Sequence, residues 1–99
     1  MTTLDRLQRW YAAQCDGDWE HQQGIKIITL DNPGWRVVIN LLGTPIETAT
    51  FAEVSNLGPE DHWIRCWVEG GEFNGAGGSL MLEAILEHFL PWAEGVSAA

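Results

Sequence analysis

Beyond Arg65 the chain has no lysine and no arginine, while five glutamates follow: Glu69, Glu72, Glu83, Glu87 and Glu94. The shortage of bases runs through the whole sequence, with five lysines and arginines against fourteen acids and a formal charge of −9. That balance argues against nucleic acid and anionic membrane surfaces as partners, since both require clustered cations. It favours a basic partner, or simply solubility. Cysteine is scarce too. Cys15 and Cys66 are too few for a disulfide scaffold, and reduced thiols are expected. No apolar run approaches the ~20 residues of a membrane-spanning helix. The first ten residues, MTTLDRLQRW, lack the apolar segment of a secretory signal, so a cytoplasmic chain is expected.

What is present suits one globular domain over residues 1–99. Hydrophobic residues make up 45% of the chain, enough for a core that needs neither metal nor disulfide. Six tryptophans exceed what such a core requires, so one or two are expected at a surface.

The stretch Cys15–Leu41 organises the pattern. Gly24–Leu30 and Trp35–Leu41 read as strands joined by Asp31-Asn32-Pro33-Gly34, where proline fixes φ and glycine admits positive φ. Trp35, Val37, Ile39 and Leu41 share one face and should meet helices. Upstream, Leu4, Leu7, Tyr11 and Cys15 recur at helical spacing, which predicts a helix from Thr3 to about Gln14 capped by Thr2 or Thr3. Asp5, Arg6, Arg9 and Ala13 would then face water, and Gly17 would end the helix. Downstream, the alternation in Ile46–Val54 predicts a third strand. His62–Glu69 predicts a fourth, with Ile64, Cys66 and Val68 on one face and Trp63, Arg65 and Trp67 on the other. The latter row is either covered by a loop or a binding surface. Asn56–Asp61 reads as a loop. Glu72–Asn74 reads as a short edge strand, and Gly75–Ser79 as a turn with Ser79 capping a last helix from Leu80 to about Leu90. Pro91 should stop that helix. Glu83, Glu87 and Glu94 lie along one flank of this segment with no lysine opposite: a solvated face, or a docking stripe for a basic partner. The architecture expected is α+β, with an N-terminal helix, an antiparallel meander sheet of four to five strands and a C-terminal helix, both helices on one sheet face.

Specific chemistry is hard to find. Cys15-Asp16-Gly17-Asp18-Trp19-Glu20-His21 gathers a thiol, three carboxylates and an imidazole. A calcium loop beginning at Asp16 would need glycine sixth and glutamate twelfth, and has His21 and Ile27 there. A zinc site from Cys15, Asp18 and His21 lacks a fourth ligand of suitable spacing. Otherwise the segment is a helix terminus with capping acids. The glycines before Ser79 do not match a dinucleotide or phosphate-loop fingerprint, since Leu80 stands where a glycine is needed. His62 and His88 show no nucleophile–base–acid pattern.

The strings WY-x-x-QCDGDWEH, GIKI-x-TLDNPGW and DHWIRCWVEGGEFNGAGGS, followed by the leucine-rich terminal segment, resemble immunity protein family fifty-three. Its members are bacterial and associated with polymorphic toxin systems. The resemblance spans Leu7 to Trp92 and is weakest over Leu42–Leu57. It implies a non-enzymatic protein, without cofactor, that binds and neutralises a cognate toxin domain. With the acidic balance, that toxin is expected to be basic, such as a nuclease. The expected contacts are Asp16, Asp18, Trp19 and Glu20 at the acidic knuckle, Asp61 and Trp63 at the loop–strand junction, and Glu83 and Glu87 as a second patch. The alternative is a small ligand- or metal-binding module of the cytoplasm using Cys15, Asp18, His21 and the Trp63/Trp67 row.

Overall fold

A computed structural model describes residues 1–59 and 61–97. In chain order the elements are α1 (Thr3–Gln14), α2 (Trp19–Gln22), β1 (Ile25–Leu30), β2 (Gly34–Asn40), β3 (Val54–Asn56), β4 (Ile64–Glu69), β5 (Glu72–Gly77) and α3 (Leu82–Ser97). The α+β class is as expected, with a five-stranded antiparallel sheet. The strand order is β1-β2-β5-β4-β3, so a hairpin and a three-strand meander are zipped together along β2 and β5 rather than following one another.

The zipper corrects one expectation. Glu72–Asn74 is no edge strand: β5 continues through Gly75, Ala76 and Gly77 and lies between β2 and β4. The glycines pair with β2 and β4, and α3 needs them bare. A Cβ at Gly75 would overlap the Ile85 Cγ2 methyl, and one at Gly77 would lie 3.0 Å from Met81 Cβ and 3.2 Å from Ile85 Cδ1. The smooth strip admits α3 close to the sheet centre. Ile85, Phe89, Leu90 and Ala93 are buried there against Phe73, Val37, Ile39 and Cys66. Phe89 meets Phe73 and Trp10 with ring centroids 5.0 Å away in each case.

Helix α1 packs on α3 over this same face. Thr2 caps it, accepting from the Asp5 N–H at 3.1 Å. Its buried stripe is Leu7 and Trp10, rotated from the one expected: Leu4 and Tyr11 are exposed, and Arg6 turns toward α3.

Other boundaries differ from the sequence expectation, β4 among them, which starts at Ile64 rather than His62. Residues 46–53 are not strand; only Val54–Asn56 pairs with β4. Side-chain hydrogen bonds compete with the ladder here. The Thr44 hydroxyl donates to the Leu41 carbonyl at 2.7 Å, Glu47 Oε1 accepts from Gly43 N–H, and successive turns bring Ile46 into the core. Helix α3 starts later and runs through Pro91. Packing overrides the lost donor, because Ala93 is buried and Trp92 Nε1 donates to the Thr50 carbonyl at 2.9 Å beyond it. Ser79 does not cap α3; its hydroxyl reaches Asp61 at 3.4 Å. Within the expected 56–61 loop, Glu60 lies outside the described residues.

Gly75→Ala should therefore destabilise the fold by ~1–3 kcal/mol through overpacking against Ile85. Gly95→Ala, which meets nothing within 4 Å in α3, should be neutral or gain up to ~1 kcal/mol. Urea denaturation of both variants checks the contrast.

Candidate functional site

Four surfaces carry the residues singled out by the sequence. At the knuckle, the acids fold the chain rather than standing free. Asp16 Oδ1 accepts from the N–H groups of Asp18 and Trp19, both at 2.9 Å, and so caps α2. Glu20 reaches back to the N–H groups of Asp16 and Gly17 at 2.9 and 2.8 Å. Hydrogen bonds from Trp19 and then Asp18 hold the Asp16 carboxyl below its usual range, and backbone N–H groups beginning with its own do the same for Glu20. Trp19 is a core residue, 6% exposed, with Nε1 donating to the Leu42 carbonyl at 2.8 Å and its ring edge-on to Trp10. Asp18 is exposed. Cys15, expected inside, is only partly buried.

The Asp61–Trp63 junction lies at the opposite end of the sheet from the knuckle. Gly78 N–H donates to the Trp63 carbonyl, whereas the knuckle end is marked by Leu41 N–H on the Gly71 carbonyl. The two ends are a strand length apart, roughly 20 Å, so these candidates do not form one patch. Asp61 is exposed and Trp63 half-buried.

On the helix layer the expected run of unopposed glutamates is opposed from α1. Arg6 makes a two-pronged pair with Glu94, at 3.0 and 2.6 Å, and reaches Glu87 at 2.9 Å, while the Thr3 hydroxyl donates to Glu87 at 2.6 Å. Thr3 and then Arg6 hold the Glu87 carboxyl below its usual value of 4.5, and Arg6 does so for Glu94. Glu83 remains exposed.

The fourth surface is the sheet face away from the helices. Registers place Ile28, Arg36, Ala76, Arg65 and Ser55 in one cross-strand row, and Lys26, Val38, Asn74 and Trp67 in the next. Among the described residues no element covers these rows. Trp67 lies under two cations, with the Arg36 and Arg65 guanidinium carbons 5.3 and 5.1 Å from its ring centroid. Arg36 is anchored by Asn74 Oδ1 and the Val37 carbonyl, both at 2.8 Å. Parity put Arg65 and Trp67 on this face from the sequence. Arg36, Lys26 and Asn74 join them only through the β2–β5 pairing, which no local pattern reveals.

Among the described residues no group of three or more His, Cys, Asp or Glu is gathered as metal ligands, and no helix is long and apolar enough to cross a membrane. Cys66 is buried between sheet and helices, and burial pushes its thiol up to about 12.

The small sheet with both long helices on one face, its knuckle acids occupied in capping and its other face bare, has the form of a domain that presents surfaces. The family model of Immunity protein 53 matches residues 4–94, and the chain belongs to that family. No curated protein and no solved structure matches the chain significantly.

Two outcomes check these assignments. Asp16→Ala should lower the melting temperature by a few degrees and Asp18→Ala should leave it unchanged, because only the former caps α2. Arg6→Met should likewise lower it at pH 7. Carboxyls depressed in the fold stabilise it above their unfolded value and lose that effect as pH falls through the folded value. The gap between wild type and Arg6→Met should therefore narrow below pH 4.5, the usual carboxyl value, in a thermal-melt series.

Proposed function

We propose that this protein binds a cognate bacterial toxin domain of a polymorphic toxin system and neutralises it stoichiometrically, acting by occlusion rather than by catalysis. The observation that carries the reading is the family match over residues 4–94. The toxin is basic overall on this reading, and a nuclease would fit. A chain of charge −9 attracts such a partner at long range, which raises the encounter rate and its salt dependence.

The candidate contacts divide by what they are already doing. Asp18, Asp61 and Glu83 are exposed and available to steer a partner. Asp16, Glu20 and Glu87 are engaged within the chain, and Trp19 is buried, so these four would contribute through the shape they hold.

The test is capture followed by rescue. The tagged chain is expressed in its own host, the co-purifying protein is identified by mass spectrometry, and its C-terminal domain is expressed with and without this chain. Restored growth at a 1:1 complex is expected. Asp18→Lys together with Glu83→Lys should slow association severalfold at low salt and flatten its salt dependence. A captured domain that is toxic and stays toxic on co-expression would overturn the proposal.

A further inference from the structure

We propose that the bare sheet face is the surface that docks the toxin, and that it receives an acidic segment of that domain between Arg36 and Arg65 with Trp67 as its aromatic floor; this rests on the immunity reading above. Charge placement is the first argument. Lys26, Arg36 and Arg65 are three of the five lysines and arginines in the chain, and the registers put all three on this one face. The ion pairs among the described residues are Arg6 with Glu87 and Glu94, and Arg9 with Asp5. Fourteen acids in the chain thus leave the three sheet cations without an ionic partner among the described residues.

Preorganisation is the second argument. Asn74 is a polar residue only 5% exposed, on a face that no element covers among the described residues. Trp67 and Val38 flank it in register, and its side chain holds Arg36. Arg36 directs three hydrogen bonds to the Val37 and Gly75 carbonyls and Asn74, and lies against Trp67. A guanidinium fork has five N–H donors, so two remain for an incoming carboxylate. Arg65 is exposed and stacks on the same ring. Between the two arginines β5 contributes only the small, half-buried Ala76 side chain. Ile28, 56% exposed, extends the row with apolar area.

The third argument is register. Glu69 and Glu72 pair across β4 and β5 at the Gly70–Gly71 end of the face, where Glu69 Oε1 accepts from Trp67 Nε1 at 3.2 Å. They repel acids there, so the partner's carboxylates settle on the arginine row. An overall basic toxin would be drawn in by the net charge and then oriented by this local patch of opposite sign.

The experiment has two arms. In the first, hexaglutamate and hexalysine peptides are titrated into the isotope-labelled protein. Hexaglutamate should shift the Trp67 indole and the Arg36, Ala76 and Arg65 amides, and hexalysine should not. In the second, Arg65→Glu and Trp67→Ala, each checked for the wild-type fold by circular dichroism, are measured against the toxin domain captured above. Each should weaken binding about tenfold or more, while Asp18→Lys changes the association rate and leaves dissociation as in wild type. A toxin that binds wild type and both sheet variants equally would overturn the face while leaving the immunity reading intact. If wild type binds no toxin, the immunity reading fails, and the peptide arm still decides: hexaglutamate shifts elsewhere, or none, overturn the acidic-segment assignment.

Discussion

The close approach of α3 to β5 sets the rest of the arrangement. Two missing side chains, at Gly75 and Gly77, let Ile85 settle onto the central strand, and the aromatic group of Phe73, Phe89 and Trp10 closes around that contact. With α3 over the sheet centre, α1 packs beside it on the same face. The layer is then complete on one side and absent on the other. The bare face is a consequence of how the helices pack, and the strands remain stable because antiparallel sheets tolerate one solvated side.

Arg6 ties the two helices together. Its pairs with Glu87 and Glu94 set one positive charge against two of the five glutamates downstream of Arg65, so the cluster keeps a net charge of −1. They also explain why a glutamate flank without lysines is compatible with a stable helix: the neutralising charge comes from sequence position 6, at the other end of the chain. The knuckle follows the same pattern. The Asp16 and Glu20 carboxylates accept hydrogen bonds from backbone N–H groups of their own short segment, and the effect is to present Trp19 to the core.

Much of the fold was legible because it is written in local patterns. The span of α1, the β1–β2 hairpin and the face parity of Arg65 and Trp67 follow from period and turn residues, but Gly34 is the first residue of β2 without the positive φ expected of it, and Cys15, not Gly17, ends α1. The failures are places where distant contacts decide. Gly75–Gly77 reads as a turn by composition; pairing with β2 and β4 makes it strand, and the Ile85 side chain explains why Gly75 and Gly77 are glycine. Ile46–Val54 alternates well enough on paper, yet Thr44 and Glu47 bond their own neighbourhood and the segment coils. Pro91 reads as a stop, but Ala93, Trp92 and Glu94 are each held by other elements, which carries the helix past it. The candidate site divides in the same way. Acids in a string stand out to the eye, but a string says nothing of whether their oxygens are occupied. The cations on the sheet are dispersed at positions 26, 36 and 65, and only the strand order brings them together.

That dispersal bears on how the sign of the charge is to be read. Ionic screening limits the reach of a surface charge to about 8–10 Å in physiological salt. Near that limit a partner responds mainly to the screened net −9; in contact, it responds to whichever face it meets. Here the two differ in sign. The helix layer and knuckle are acidic, and the sheet face holds most of the bases around an aromatic ring. On the proposal above, a basic partner is drawn in at a distance and selected by whether it offers an acidic segment at the point of contact. Net charge alone therefore predicts association rate better than it predicts the chemistry of the interface, because long-range steering sums over the whole surface and desolvated contacts do not.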